Sequence, residues 1–188
     1  MLVKILIGAA LVLVSLAVVV ATRPATFHIE RSLAMSAPPE RAFAQVNDFH
    51  AWKAWSPWEG KDPAMQRTYS GAPAGAGAVY AWAGNKEVGE GRMTILSSEA
   101  PSRIAIKLEF LKPFVATNTA SYSFVPAPGG TRVTWAMDGD LNFFMKAFHL
   151  FVNMDKLVGA DFEKGLAQMK TAAETADTSS TQATLGTH

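Results

Sequence analysis

The order of the periodic segments constrains the fold more than any other feature of this sequence. After residue 64, stretches of alternating apolar and polar residues follow one another, separated by turn signals such as residues 126–130. Connections this short favour antiparallel neighbours, so the stretches predict a meander. From Asn142 onward the apolar period lengthens to that of an α-helix, which predicts one amphipathic helix over about 142–175. The predicted strands are 65–70, 77–83, 88–98, 102–111, 116–126 and 131–141.

The helix predicted over 142–175 has a broad apolar face, and one helix with such a face has to be buried across a sheet. The predicted fold class is therefore α+β. Gly159 and Gly165 lie in the helix interior, where glycine costs about 1 kcal/mol relative to alanine, so a bend or close packing is expected there. The predicted apolar face holds Phe144, Phe148, Phe151, Val158, Phe162, Leu166 and Met169.

The residues ahead of the meander predict one more strand and two short helices. Residues 26–36 alternate in polarity and predict a strand. The prolines at 38 and 39 predict the start of a short helix over 39–47, and a second short helix is predicted over 48–55.

This order of elements and several short marks resemble the helix-grip superfamily of START domains and the birch-pollen allergen. Within it the chain is similar to the polyketide-cyclase/dehydrase and lipid-transport proteins, often labelled SRPBCC. The resemblance covers about 25–175. It implies a curved antiparallel sheet wrapped around the long C-terminal helix, with a cavity for a hydrophobic ligand. The marks are IERS at 29–32, APPE at 37–40, WKAWSPW at 52–58, GEGRM at 89–93 and MDKLVG at 154–159.

An uncharged apolar run occupies residues 5–21. At 1.5 Å per residue it is about 25 Å long, near the lower limit for a hydrocarbon core of about 30 Å, and its neighbours from residue 2 to residue 22 extend it. We interpret residues 1–22 as a transmembrane signal anchor. A cleaved signal peptide and a helix buried in the soluble core stay open as alternatives. Lys4 and Arg23 flank the run, and the positive-inside rule tips towards a single-pass protein with its domain on the extracytoplasmic side.

Composition narrows the chemistry of the remaining chain. The chain has 188 residues, no cysteine and a net charge of +1. Lack of cysteine excludes a disulfide scaffold and a thiolate metal site, and lack of a basic cluster gives nucleic-acid binding no support. The four histidines are scattered, so no metal and no cofactor is predicted. We expect one domain over 23–176 and a disordered polar tail over 177–188, while the oligomeric state stays undetermined.

Aromatic residues exceed what a small core requires, with five tryptophans, three tyrosines and eleven phenylalanines. On strand alternation several share one face of the sheet, where they either fill the core or line an apolar cavity. In helix-grip proteins the region of Trp52 and Trp55 borders the cavity mouth, which makes this pair a candidate gate. The candidate ligand-binding residues are Trp52, Trp55, Tyr80, Trp82, Asn118, Tyr122, Trp135, Met137, Phe151 and Asp155.

Asp155 is the polar residue most out of place in the predicted helix, because the helical wheel puts it between Phe151 and Phe162 on the apolar stripe. A carboxylate facing a core has to be paired, hydrogen-bonded or protonated. Three alternatives stay open: a structural tie to a basic side chain, a polar contact or acid/base at a ligand site, and exposure to water. The basic side chains considered as partners are Arg92, Arg103 and Arg132.

The leading hypothesis is a membrane-tethered domain that binds a hydrophobic small molecule or lipid in an internal cavity. One alternative is a cyclase- or dehydrase-type enzyme on a hydrophobic substrate, and another is a non-enzymatic interaction module of the cell envelope with a filled core. Cyclase chemistry needs an acid or base in the cavity, and the sequence offers few candidates. An enzyme is therefore less favoured, and no catalytic residue is assigned.

Overall fold

The computed structural model describes residues 1–185, with side chains described for residues 1–175. The helices in this part of the chain are α1 (Leu2–Ala21), α2 (Pro39–Asn47), α3 (Phe143–His149), α4 (Met154–Leu185) and a short 3₁₀ helix (Ala51–Ala54). The strands are β1 (Thr26–Met35), β2 (Gln66–Gly71), β3 (Ala78–Ala83), β4 (Glu90–Glu99), β5 (Arg103–Lys112), β6 (Ala116–Ala127) and β7 (Gly130–Asp140).

Seven strands form one antiparallel sheet in the order β1-β7-β6-β5-β4-β3-β2. Strands β2 to β7 are neighbours in the order of the chain, so the predicted meander is confirmed. β1 pairs with β7 at one edge, from Thr26 opposite Asp140 to Met35 opposite Thr131. Each predicted strand is present within about two residues of its predicted bounds, which is the usual uncertainty of strand ends.

The core lies on one face of the sheet because side chains alternate along each strand. Tyr122 and Phe124 on β6 and Val133 and Trp135 on β7 are buried on this face. α2 packs on β6 and β7, and α4 packs along β1. The predicted α+β architecture, an antiparallel sheet with a long C-terminal helix against it, is confirmed.

The second predicted short helix, over 48–55, is reduced to the 3₁₀ helix at Ala51–Ala54. The Asp48 carboxylate accepts a hydrogen bond from the backbone N–H of His50 at 2.8 Å. Such a local side-chain bond competes with α-helical hydrogen bonding, so the chain turns here before one tight helical turn forms.

The prediction of a single helix over 142–175 is wrong in one respect, because residues 150–153 separate α3 from α4. The Asn142 side chain caps α3, accepting a hydrogen bond from the backbone N–H three residues later at 2.9 Å. The Asn153 side chain does the same at the start of α4, at 3.0 Å. Two asparagine caps therefore start two separate helices.

This break changes which side chains reach the core. The helical phase counted from Phe144 does not continue into α4, and Phe144 and Phe151 are 81% and 82% exposed. Phe148 is exposed as well. The members of the predicted stripe that are buried are Phe162, Leu166 and Met169.

The two glycines in α4 allow the close packing that the sequence predicted. A Cβ atom at Gly165 would lie 2.8 Å from Cζ3 of Trp135 and 3.1 Å from Cδ of Pro57. At Gly159 the neighbouring group is the guanidinium of Arg31. A side chain at residue 165 would therefore hold α4 away from the sheet.

α4 is helical to Leu185 and so overlaps the first part of the tail predicted over 177–188. The rest of that tail lies outside the described residues, and its disorder stays a prediction.

α1 has 20 residues and a mean hydropathy of 2.8, long and apolar enough to cross a membrane by length and composition. A signal sequence meets the same criteria. Within α1, which is described throughout, Val20 is the buried residue, and α1 contacts α3. With 6% of its most apolar window buried, α1 differs from a core helix of a soluble domain.

Candidate functional site

A cavity of about 360 Å³ lies between the inner face of the sheet and the first turns of α4. Its walls are mostly apolar and aromatic, because strand alternation turns those side chains inward. Its volume lies within the range of about 300–1,000 Å³ typical of small-molecule sites. Six of the ten predicted ligand-binding residues line it: Trp52, Tyr80, Trp82, Tyr122, Trp135 and Met137.

Two other predicted residues lie behind the cavity wall. Trp55 is buried, and its ring packs edge-on against that of Trp135, with ring centroids 5.7 Å apart. Asn118 is buried beside Met137, with its Nδ2 3.8 Å from the Met137 sulfur. Both residues support lining side chains rather than form the cavity surface.

Trp52 and Trp55 lie together as predicted, with ring centroids 4.7 Å apart. Their indole N–H groups donate to backbone carbonyl groups near the end of α2, Trp52 to Val46 at 3.1 Å and Trp55 to Gln45 at 2.8 Å. Both rings are buried. The pair is therefore part of the cavity wall and the core, and its role as a gate stays a prediction.

Phe151 and Asp155, also predicted as ligand-binding residues, do not line this cavity and instead line a second, more open pocket beside the start of β1. Phe151 is exposed in the break between α3 and α4. The Asp155 side chain is 59% exposed, and its Oδ1 lies 3.0 Å from Nη1 of Arg31. Hydrogen bonding to Arg31 lowers the pKa of Asp155. The predicted tie to a basic side chain is present, but its partner is not one of the three considered: Arg92, Arg103 and Arg132.

The mouth of the cavity is formed by the lining residues that are partly or fully exposed, several of which the sequence analysis missed. Lys61 Nζ lies 2.8 Å from Asp161 Oδ2, and this ion pair joins the segment after the 3₁₀ helix to α4. The two residues are 100 positions apart, so no local spacing could reveal the pair. Among these partly or fully exposed lining residues are Trp58, Lys61, Glu87, Val88, Phe110, Leu157 and Asp161.

A carboxylate that the sequence analysis also missed lies in one wall. Glu59 Oε1 accepts a hydrogen bond from the Tyr80 hydroxyl at 3.0 Å, and its Oε2 accepts one from Arg67 Nε at 2.8 Å. Burial and the Glu59 charge raise the pKa of Tyr80, so the phenol stays protonated. A carboxylate and a phenol are thereby held together at the cavity.

Two buried polar atoms of the cavity wall have no hydrogen-bond partner within the described part of the chain: the Tyr122 hydroxyl and Trp135 Nε1. The two residues are opposite each other on β6 and β7, and their rings stack with centroids 5.1 Å apart. Trp135 also stacks on Phe162 of α4, at 4.0 Å. Burial raises the pKa of Tyr122, so its hydroxyl keeps a proton to donate. Unpaired buried donors are costly, and an acceptor on a ligand would remove that cost.

The described residues include no group of three or more histidine, cysteine or acidic side chains that could hold a metal ion. His50, beside the tryptophan cluster, stacks on Tyr69 with ring centroids 4.1 Å apart and bonds the Asp48 carboxylate at 2.8 Å. His28 lies at the surface, and its hydrogen bond to Asp138 raises the pKa of His28. Local contacts thus account for both histidines.

A family model described as polyketide cyclase/dehydrase and lipid transport matches residues 26–174. No curated protein sequence matches the chain significantly.

Solved structures share the fold at low sequence identity. A protein from Chromobacterium violaceum is 16% identical, with a TM-score of 0.56 over 80% of this chain and 99% of that one. The di-domain ARO/CYC StfQ from the steffimycin biosynthetic pathway is 14% identical, with a TM-score of 0.59 over 81% of this chain and 52% of its own. Ara h 8.0201 is 12% identical, with a TM-score of 0.54 over 80% and 99%. These likenesses establish the helix-grip fold.

Proposed function

The chain belongs to the polyketide cyclase/dehydrase and lipid-transport family, and on that premise we propose that it is a membrane-tethered domain that binds a hydrophobic small molecule or lipid. The observation that carries this proposal is the cavity of about 360 Å³ with aromatic walls. A core filled by its own side chains, as an interaction module would have, leaves no such space.

The walls of the cavity define the chemistry of the ligand. Aromatic and aliphatic walls favour an apolar body, since burial of apolar surface contributes about 25 cal/mol per Å². The unpaired donors of Tyr122 and Trp135 favour an oxygen acceptor, such as a carbonyl group, on the part of the ligand that reaches them. At the mouth, the Lys61–Asp161 pair suits a polar group that stays close to water.

The tether in this proposal is α1. Its 20 residues span about 30 Å, the thickness of a hydrocarbon core. Lys4 and the α-amino group at its start stand against Arg23 at its end, and on this small difference the positive-inside rule tips towards a cytoplasmic N-terminus with the domain on the other side.

A second candidate function, catalysis of cyclase or dehydrase type, is favoured by the Glu59–Tyr80 pair in the wall. A carboxylate beside a protonated phenol provides a general base and a general acid. If the domain is such an enzyme, Glu59→Gln abolishes turnover while ligand binding persists. A binding domain has no turnover to lose.

The proposal is tested with full-length protein in lipid nanodiscs, titrated with long-chain fatty acids and isoprenoid quinones. A ligand that fills the cavity should change the emission of Trp82 and Trp135 and raise the melting temperature, since ligand at about 100 times its Kd stabilises by about 2.7 kcal/mol. Native mass spectrometry of gently extracted protein should show a bound mass of lipid size. A bare mass and no response to any compound would support the interaction module instead.

Tyr122→Phe provides a sharper test, with Tyr69→Phe as its control. Tyr69 is half-buried on β2 and does not line the cavity. Because the buried Tyr122 hydroxyl has no partner among the described residues, its removal should leave the ligand-free melting temperature unchanged or higher. It should weaken binding of oxygen-bearing ligands up to about tenfold, as expected for one neutral hydrogen bond. Equal affinities of both variants would contradict the role assigned to this donor.

A further inference from the structure

The end of the sheet from which α1 departs is also the end where α3 and the loop over 113–115 lie. Four residues join Ala21, the end of α1, to Thr26, the start of β1. Thr26 pairs with Asp140 at the end of β7, from which the chain continues into α3. Ala116 at the start of β6 pairs with Phe110 near the end of β5. The loop over 113–115, which joins these two strands, therefore lies at the same end of the sheet.

This end carries a set of exposed apolar side chains that we name the apolar rim: Phe114, Val115, Phe143, Phe144, Phe148 and Phe151. Single exposed apolar residues are common on soluble proteins, whereas five phenylalanines and a valine at one end mark a contact surface. Phenylalanine side chains are typical of protein surfaces that lie in the membrane interface.

The position of α1 identifies what the rim contacts. α1 packs against α3, and Val20 near the C-terminal end of α1 is buried. If α1 crosses a bilayer, Ala21 lies at the boundary of the hydrocarbon core, because the helix is about as long as that core is thick. α3 and its phenylalanines then lie at the depth of the lipid head groups.

The cavity mouth opens at this end as well. Phe110 lies at the end of β5, Val88 precedes β4, and Leu157 is an exposed residue of the first turns of α4. All three line the cavity next to the strand ends that carry the rim.

We propose that the apolar rim inserts into the head-group boundary of the bilayer that α1 crosses, so that the cavity exchanges its ligand directly with the lipid phase. The ligand is then an apolar or amphiphilic molecule dissolved in that leaflet. This inference rests on the tether and the cavity of the proposed function. Insertion is apolar in origin, since the six side chains of the rim are all uncharged. It should therefore occur on zwitterionic lipid and change little with salt.

The absence of cysteine makes the depth of the rim directly measurable. Full-length protein carrying Phe114→Cys or Phe144→Cys is labelled with an environment-sensitive fluorophore in phosphatidylcholine nanodiscs. We expect both labels to be quenched by nitroxide on the upper acyl chain and shielded from iodide. Ser102→Cys, exposed at the opposite end of the sheet, is the control and should be quenched by iodide alone. Iodide quenching of all three labels to the same extent would overturn the inference.

A second pair of variants tests the route of the ligand. Phe144→Ser/Phe151→Ser removes two rim side chains, and Leu96→Ser/Val125→Ser removes two equally apolar exposed residues towards the opposite end. Transfer of a fluorescent fatty acid from labelled vesicles to the cavity should slow by roughly tenfold in the rim variant at unchanged affinity. Equal transfer rates in the two double variants would overturn the inference. If wild-type protein does not bind the fatty acid, or if carbonate releases it from the bilayer, the proposed function itself is contradicted.

Discussion

Arg31 joins α4 to β1 through two carboxylates. Its Nε lies 2.8 Å from Glu163 Oε1 and its Nη1 lies 3.0 Å from Asp155 Oδ1. The two carboxylates are about two turns apart on α4. The same guanidinium donates to the backbone carbonyl groups of Glu30 and Asp155. Gly159 lets it pass close to the helix backbone. Asp155, which the helical wheel placed in the core, thus lies at the surface and helps to hold α4 on β1.

We predict that Asp155→Asn lowers the melting temperature slightly at neutral pH and leaves ligand affinity unchanged, because the carboxylate does not line the cavity. Arg31 lowers the pKa of Asp155 in the folded state. The pair therefore stabilises fully above the ordinary carboxyl pKa of about 3.9, and this stabilisation is lost as the pH falls through the lowered pKa.

Melting curves of wild type and variant across acid pH check this prediction. The difference between them should disappear at the acid end of the series. Asp140→Asn, a change at another exposed carboxylate, is the control and should lower the melting temperature less. Loss of ligand binding by Asp155→Asn at unchanged stability would contradict the structural role.

At the scale of elements, α4 depends on a glycine where it crosses the sheet. We predict that Gly165→Ala destabilises the domain by up to about 2 kcal/mol, because overpacking costs about 1–3 kcal/mol and the gain in helix propensity returns roughly 1 kcal/mol of it. The new methyl group would press on the Trp135 ring, which Tyr122 and Phe162 hold in stacks.

Gly159→Ala is the matched control for this change. Its methyl group would meet the end of the flexible Arg31 side chain, which can move aside. Urea unfolding should therefore show a clearly smaller loss for Gly159→Ala than for Gly165→Ala. A gain of stability by Gly165→Ala would contradict the close packing of α4 on Trp135.

The elements differ in how far the sequence could reveal them. The strands could be predicted because alternation and turn residues such as those over 126–130 are local properties. The break between α3 and α4 could not, since Leu150 and Phe151 continue the apolar pattern and the new helix start depends on the Asn153 cap. The residues of the cavity also differ in how far the sequence could reveal them. Tyr80 and Trp82 follow from strand alternation, whereas the Lys61–Asp161 pair exists only after folding.

At the scale of the whole molecule, α1 is the proposed tether. We predict that full-length protein stays in the membrane pellet after a carbonate wash, because a charged residue at the centre of such a helix costs about 2.5–3.5 kcal/mol and α1 has none there. Leu11→Lys/Val14→Lys should release the protein, and Leu11→Ala/Val14→Ala should not. A mature N-terminus at Thr22 would establish a cleaved signal peptide instead.

The pairing of β1 with β7 has a consequence for how the domain folds. β1 is the first strand to be synthesised, whereas its partner β7 is the last. Their ten paired positions therefore cannot form until the whole meander has been synthesised. Hairpins between consecutive strands need only short loop closures, whereas this contact has to close a loop of about a hundred residues, which is slow. We therefore expect β2 to β7 to form first and β1 to complete the sheet in the rate-limiting step.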